Sequence, residues 1–506
     1  MDSWAQLIHQ GTLGMNKVRR MAEDGQDPID QFWQQVCEHM LLQACHAPQA
    51  EKEASGIEAA PQEQQAYLPG ASYGLFKEAF RRGKHAILEE ALRAASQRKA
   101  LLSPALLPAL MDWAMQHPIG LKALQQLGGH RLTWLARQNP AWATLIPPTS
   151  ADWEYGQISQ RVHYLRWLRE QDPAEGLALM QQVSYQEAGP RNYVRLLDTL
   201  RQGLSLADEA FLMSLHTHKR KKVRWTVGDL LFSLPESEIS LEFKQQTGDW
   251  LARKKGEIQL QIPTEYGQKW LRLGLDASPL LPTSFSLKAR LTATFLGWIP
   301  PQYWTEKWDI SPVKLLRKLS SQSDAAIFWA GWLPATLRFE DESWAKALVS
   351  EVVRYEPTAS WDPLKKFSPA VWKKLGSLVE PAWLDKGVTK RLKKGTETVS
   401  FFRMVEVLSL LHIPLSSSTA YHLSDRLSQL LSQTVIGGRQ QIEQLIRQLP
   451  GLLFCLPPVD FPRLAPLWTL PPDRYYWFQK EMEKFTRDYS LRYRLWKAME
   501  GGSSSA

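Results

Sequence analysis

The side chains in this sequence best suited to chemistry are cations and indoles. Basic residues gather at Lys219, Arg220, Lys221, Lys222 and Arg224, at Lys386, Lys390, Arg391, Lys393 and Lys394, and in a shorter run from Arg253 to Lys255. Clusters of this kind attract phosphates or the carboxylates of an acidic protein, although a solvated helix face or turn is the plainer reading of each. The second cluster follows a stretch in which Trp361, Trp372 and Trp383 interleave with Lys365, Lys366, Lys373 and Lys374. A surface that stacks bases while neutralising phosphates has this composition. The indole spacing of eleven would align all three on one continuous helix, but Pro363, Pro369 and Pro381 forbid that helix. The plainer reading is that each Trp anchors a short helix in the core. Asp362, next to Trp361, is the carboxylate that such a surface offers for assisting base loss.

Other catalytic signatures are missing. No Gly-x-x-x-x-Gly-Lys-Ser/Thr loop is present, which excludes a Walker-type ATPase, and neither a Gly-x-Ser-x-Gly elbow nor a His-Glu-x-x-His pair occurs. Gly128-Gly129 and Gly437-Gly438 precede Arg131 and Arg439 but follow no strand, so they read as helix breaks. Cys37, His39, Cys45 and His46 are the nearest approach to a metal set. On a helix the two thiols fall about 80° apart and the imidazoles point to the opposite side, so the donors do not converge. His216-x-His218 lies among cations, which disfavour a bound metal. These residues predict no catalytic centre, no cofactor and no metal.

The elements that must hold the basic clusters are helices. Ser205 to Pro235 reads as a helical hairpin: Ser205 is a capping residue with Asp208 and Glu209 in the first turn, and Phe211, Leu212 and Leu215 form an apolar stripe. His216 to Lys222 turns the chain; Val223, Val227, Leu230, Leu231 and Leu234 then continue at helical spacing. So short a hairpin cannot bury both stripes alone and must stack on others of its kind. The chain is accordingly expected to be all-α, a HEAT-like α-solenoid of stacked helical hairpins. At most one short strand-like segment is expected, at Glu257 to Pro263, where Ile258, Leu260 and Ile262 alternate with polar residues. The boundaries expected are N-terminal helices over 1–46, a flexible linker or long loop over 47–69, a first helical array over 70–255, an irregular connection over 256–286, a second array over 287–497 and a disordered tail over 498–506. Several helices are expected to stop at Ile299-Pro300, Leu333-Pro334 and Leu449-Pro450, a weak sign of internal repetition.

Composition agrees. A chain of 506 residues is too long for one ordinary core, and 44% hydrophobic with 22% charged residues suits a folded protein in which 22 Trp carry much of the packing. The formal charge of +9 is modest for this length. With only Cys37, Cys45 and Cys455, no disulfide framework is expected and a reducing compartment fits. The N-terminus lacks a basic segment leading into an apolar one, and Leu101 to Met115 is interrupted by Ser103, Pro104, Pro108 and Asp112. A cytoplasmic protein without membrane contact is expected.

The block His218 to Arg224, followed by an apolar helix ending Leu-Leu-Phe-Ser-Leu-Pro, resembles the second-helix signature of HEAT repeats. His218 stands where that signature has Asp, which leaves Arg224 to find another partner. Beyond this hairpin, Leu132-Thr-Trp-Leu-Ala-Arg-Gln-Asn-Pro-Ala-Trp142, Arg166-Trp-Leu-Arg-Glu-Gln-Asp-Pro173 and Ala330-Gly-Trp-Leu-Pro-Ala through Trp344-Ala-Lys-Ala-Leu348 are similar to motifs of a bacterial family of unknown function. That family is all-helical and HEAT-like and is encoded beside MoxR-type AAA ATPases, von Willebrand factor A proteins and SWIM zinc-finger proteins. The resemblance spans roughly residues 1 to 495. It implies a non-enzymatic scaffold or adaptor that meets a MoxR-type ATPase or a von Willebrand factor A protein, while the basic clusters by themselves predict weak, non-specific nucleic-acid contact at most. The alternative is a nucleic-acid-binding protein, in the manner of a HEAT-like DNA-repair glycosylase.

Overall fold

The computed structural model describes residues 28–44, 58–98, 100–117, 120–254, 257–261, 267–275, 285–320, 325–354, 362–393, 398–432, 438–468 and 476–500. These residues hold 28 α-helices and one two-stranded antiparallel sheet, so the chain is all-α as its patterning predicts. It divides into two compact units, Met1–Pro61 and Gln62–Ala506.

In the first unit the described element is the helix Pro28–Ala44. Its apolar residues recur at helical spacing and Asp30 occupies the first turn, where the dipole favours a carboxylate. Phe32 and Trp33 meet edge to face at 5.6 Å, and both Trp33 and Met40 are exposed.

In the second unit each helix packs chiefly on others a few elements away. Leu287–Trp298 lies along Ala325–Phe339, Pro312–Ser320 along Glu342–Val352, and Pro369–Ser377 along Thr398–Leu411, which also carries Gly438–Leu452. The first of these approaches depends on Gly331, where an added Cβ would lie 2.5 Å from the Leu296 Cβ. Aromatic side chains fill the joints: Phe232 stacks on Trp298 at 3.9 Å, and Trp304, Trp332, Trp344 and Trp372 are fully buried. The final helix, Tyr476–Glu500, departs from the sequential pattern and packs on Gly70–Arg81 and His85–Ser96, the first two helices of the same unit.

Two local expectations are corrected. Leu333-Pro334 and Leu449-Pro450 do not stop their helices: Ala325–Phe339 and Gly438–Leu452 run through the proline, and only Ile299-Pro300 ends one. Pro334 removes one donor and Pro450 lies in the last turn, where tertiary packing holds the flanking backbone helical. The strand-like segment is real as Glu257–Leu260, but it pairs with Leu251–Lys254 in a hairpin, with Leu251 opposite Leu260 and Arg253 opposite Ile258. The basic character of Arg253 and Lys254 masks the alternation that would reveal the partner strand. The described part of the 47–69 stretch, 58–69, is loop and includes Glu63, which accepts from the backbone N–H groups of His130 (3.1 Å) and Arg131 (2.8 Å) and so caps the helix Gly129–Gln138. Gly129 adopts φ +58°, and any Cβ there would collide with that carboxylate, which is why the glycine pair sits at this point.

Candidate basic interaction surface

The hairpin that carries Lys219 to Lys222 begins on a buried ion pair. Asp208, 1% exposed, receives both guanidinium Nη atoms of Arg169, itself 1% exposed, at 2.9 Å each. Arg169 also donates to the carbonyls of Pro173, Leu200, Gln202 and Gly203. Asp208 accepts from Ser205 N–H in a capping box, so the helix start expected at Ser205 is present, and one carboxylate serves both the cap and the ion pair. Shortly after Arg169, Asp172 caps Pro173–Gln181 by accepting from the N–H groups of Ala174 and Glu175. The Arg166–Pro173 motif is therefore structural.

From this base the helix Glu209–Leu215 leads into the turn, and Lys221–Leu231 leads out of it. Leu212, Val227 and Leu231 are fully buried, as their spacing predicts. His218 orders the turn rather than capping the helix: its Nδ1 accepts from Arg220 N–H at 3.2 Å, and its ring stacks on Tyr193 and tilts against Tyr185. Arg224 turns inward, donating to His218 O (2.7 Å), Lys219 O (3.1 Å) and Arg272 O (3.3 Å). Backbone carbonyls thus replace the carboxylate that the substitution at 218 removes. Lys219, Arg220, Lys221 and Lys222 are exposed, and the Lys221 ammonium lies 4.3 Å from the centroid of the Trp225 ring. No described carboxylate pairs with Lys219, Arg220 or Lys222. Lys221 and Lys222 occupy the first turn, where the helix dipole is positive and disfavours cations. The neighbouring helix Pro190–Leu197 adds exposed Arg191 and Arg195, whose i, i+4 spacing was readable in the sequence but whose proximity was not.

The second cluster rides on Pro381–Lys393. Lys386, Lys390 and Lys393 are exposed at i, i+4 and i+7 and form one stripe. Arg391 is half-buried; desolvation and the nearby Arg354 hold its guanidinium pKa below the usual range, and it lines a small cavity with Val353, Leu384, Val388 and Met404. Lys394 lies outside the described residues. Beside the stripe, an open groove of about 600 Å³ is lined by Trp383, Pro381, Asp385, Lys386 and Pro414. The two clusters sit on helices with different neighbours, Pro190–Leu197 for the first and Ser417–Ser432 for the second.

The interleaved indoles do not form a shared stacking face among the described residues. Trp372 is fully buried, Trp383 is half-buried at the groove, and Trp361 lies outside the described residues. Asp362 caps Pro363–Lys366 through Leu364 N–H and receives Arg403 at 2.7 and 3.1 Å, an internal engagement that leaves it 6% exposed. The third basic run is partly tied down, since Arg253 donates to Trp308 O at 2.8 Å. Cys37 is exposed, whereas the side chains of His39, Cys45 and His46 lie outside the described ones. No group of three or more His, Cys, Asp or Glu among the described residues is placed to hold a metal ion, and no described helix is long and apolar enough to cross a membrane.

No curated protein and no solved structure matches the chain. Residues 12–499, which include both clusters and the Arg169–Asp208 base, match the model of a family of unknown function, and the chain belongs to that family, DUF5691.

Proposed function

We propose that the chain is a non-enzymatic scaffold of the α-solenoid type, whose exposed cations bind an acidic protein partner. The observation that carries this reading is the turn at 218–222. Lys219 and Arg220 stand exposed on a loop that His218 and Arg224 hold in place, and Lys221 and Lys222 stand exposed on the first helical turn, where they oppose the dipole. Lys219, Arg220 and Lys222, which no described carboxylate meets, can pair with the carboxylates of a partner, and rim charges of this kind act mainly on encounter. The Lys386, Lys390 and Lys393 stripe beside the Trp383 groove is a second contact of the same character. The resemblance to a family encoded beside MoxR-type AAA ATPases and von Willebrand factor A proteins makes those two the first partners to test.

The engagement of Asp362 by Arg403 and the burial of Trp372 favour this reading over a glycosylase-like one. The test is affinity capture of the whole chain from its native cell, followed by mass spectrometry and an ATPase assay of the purified chain. The expected result is co-purification of an ATPase or von Willebrand factor A protein and no hydrolysis by the chain alone. Reversal of Lys219, Lys221 and Lys222 to Glu should slow association while leaving helix content unchanged. Recovery of nucleic acid alone, or submicromolar sequence-selective binding at physiological salt, would overturn the proposal.

A further inference from the structure

We infer that the C-terminal helix Tyr476–Glu500 is an ionic latch through which the second unit opens between its last and first helices. Elsewhere, packed helices are held near one another by the chain that joins them. At this seam the paired residues lie 402 to 416 positions apart, so non-covalent contact alone keeps them together. Alongside buried apolar residues on both sides, such as Phe76, Leu88, Phe485 and Leu491, the seam carries charge pairs: Lys84 meets Asp488 at 2.6 Å, Arg82 meets the same carboxylate at 3.1 Å, Arg494 meets Glu78 at 3.1 Å, and Arg492 grips Glu90 through two nitrogens at 2.5 Å each. Asp488 retains only 14% side-chain exposure, and Arg492 only 4%.

The two sides of the latch are unequal. Arg492 also donates to the carbonyls of Leu453 and Leu456, and Tyr489 Oη donates to Pro457 O at 2.6 Å. These bonds tie the last helix to the chain just before it. When the seam parts, the helix keeps its bonds to 453–457 and releases Glu78, Arg82, Lys84 and Glu90. Arg492 then loses one carboxylate but retains two carbonyls, whereas Asp488 loses both of its cations, which makes Asp488 the residue on which closure turns.

The test is hydrogen exchange by mass spectrometry on the full chain. Asp488→Lys sets an ammonium against Arg82 and Lys84, and exchange over 70–96 and 476–500 should rise at least tenfold while Leu287–Trp298 and Ala325–Phe339 stay protected. Pairing Asp488→Lys with Lys84→Glu should restore at least half of the lost protection, and raising salt on the unaltered chain should loosen the same two segments selectively. Exchange that rises uniformly would show a fold-wide defect, and unchanged exchange would show that apolar contact holds the seam; either result overturns the latch.

Discussion

Replacing Arg169 by Met is the most exacting test of how the start of the basic hairpin is held. The substitution keeps an apolar stem beside Gly176 but removes every donor that Arg169 supplies. Asp208 keeps the Ser205 N–H and otherwise becomes a carboxylate buried without its cation. Breaking such a pair from one side costs about 3–5 kcal/mol. Of the four carbonyls released, Leu200 O is in a buried contact and adds ~1 kcal/mol, whereas the other three are part-buried and within reach of water. The local cost is then about 4–6 kcal/mol, which corresponds to roughly a thousandfold or more in exchange rate where opening is local. A long run of short helices opens in segments, so hydrogen exchange over residues 158–215, compared with 325–352, is the suitable assay. The double variant Arg169→Met/Asp208→Ala no longer strands a carboxylate and should cost less than the two single variants added together, by about 2–3 kcal/mol. A single-variant loss below ~1 kcal/mol, or strict additivity in the double variant, would refute the reasoning.

Four further outcomes follow from particular contacts. Leu231→Ala should destabilise its hairpin by about 2–5 kcal/mol by local exchange, because the side chain is fully buried. Lys222→Glu should stabilise the helix Lys221–Leu231 by about 0.3–1 kcal/mol through the dipole while weakening partner capture; a loss of helix stability would contradict the placement. Burial pushes the Cys455 thiol up to about 12, and it donates to Leu408 O, so alkylation at pH 8 should modify Cys37 and spare Cys455 until the chain unfolds, as read by peptide mass. Burial raises the Asp229 pKa, but Arg338 and Arg201 outweigh it and leave the carboxyl below its ordinary value. Its contribution is therefore complete above the unfolded carboxylate range and lost as pH falls through the lower folded value; thermal melts should show the advantage over Asp229→Asn steady above about pH 5 and shrinking below about pH 4.

Much of the hairpin was legible in the chain itself. The spacing of Leu212, Val227 and Leu231 depends only on the helical period, and the Ser205 and Asp208 cap depends only on neighbours in sequence. That no single helix runs through Pro363, Pro369 and Pro381 was likewise readable, because proline acts locally on the backbone, and three separate helices stand there. Local chemistry misled where packing overrode it, as at Pro334 and Pro450, which stay within helices held by their neighbours.

What sequence alone determined about this protein is its all-helical class, the basic hairpin around Lys219 to Lys222 and the basic cluster from Lys386 onward, since periodicity, capping and charge are properties of neighbouring residues. Tertiary structure alone decided that Arg224 turns to backbone carbonyls, that Asp362 is held by Arg403, that Glu63 caps a helix 67 residues away and that Arg492 reaches Glu90 across 402 positions. Each of these depends on which side chains meet in space, and a charge has no preferred partner until folding removes the water that would otherwise solvate it.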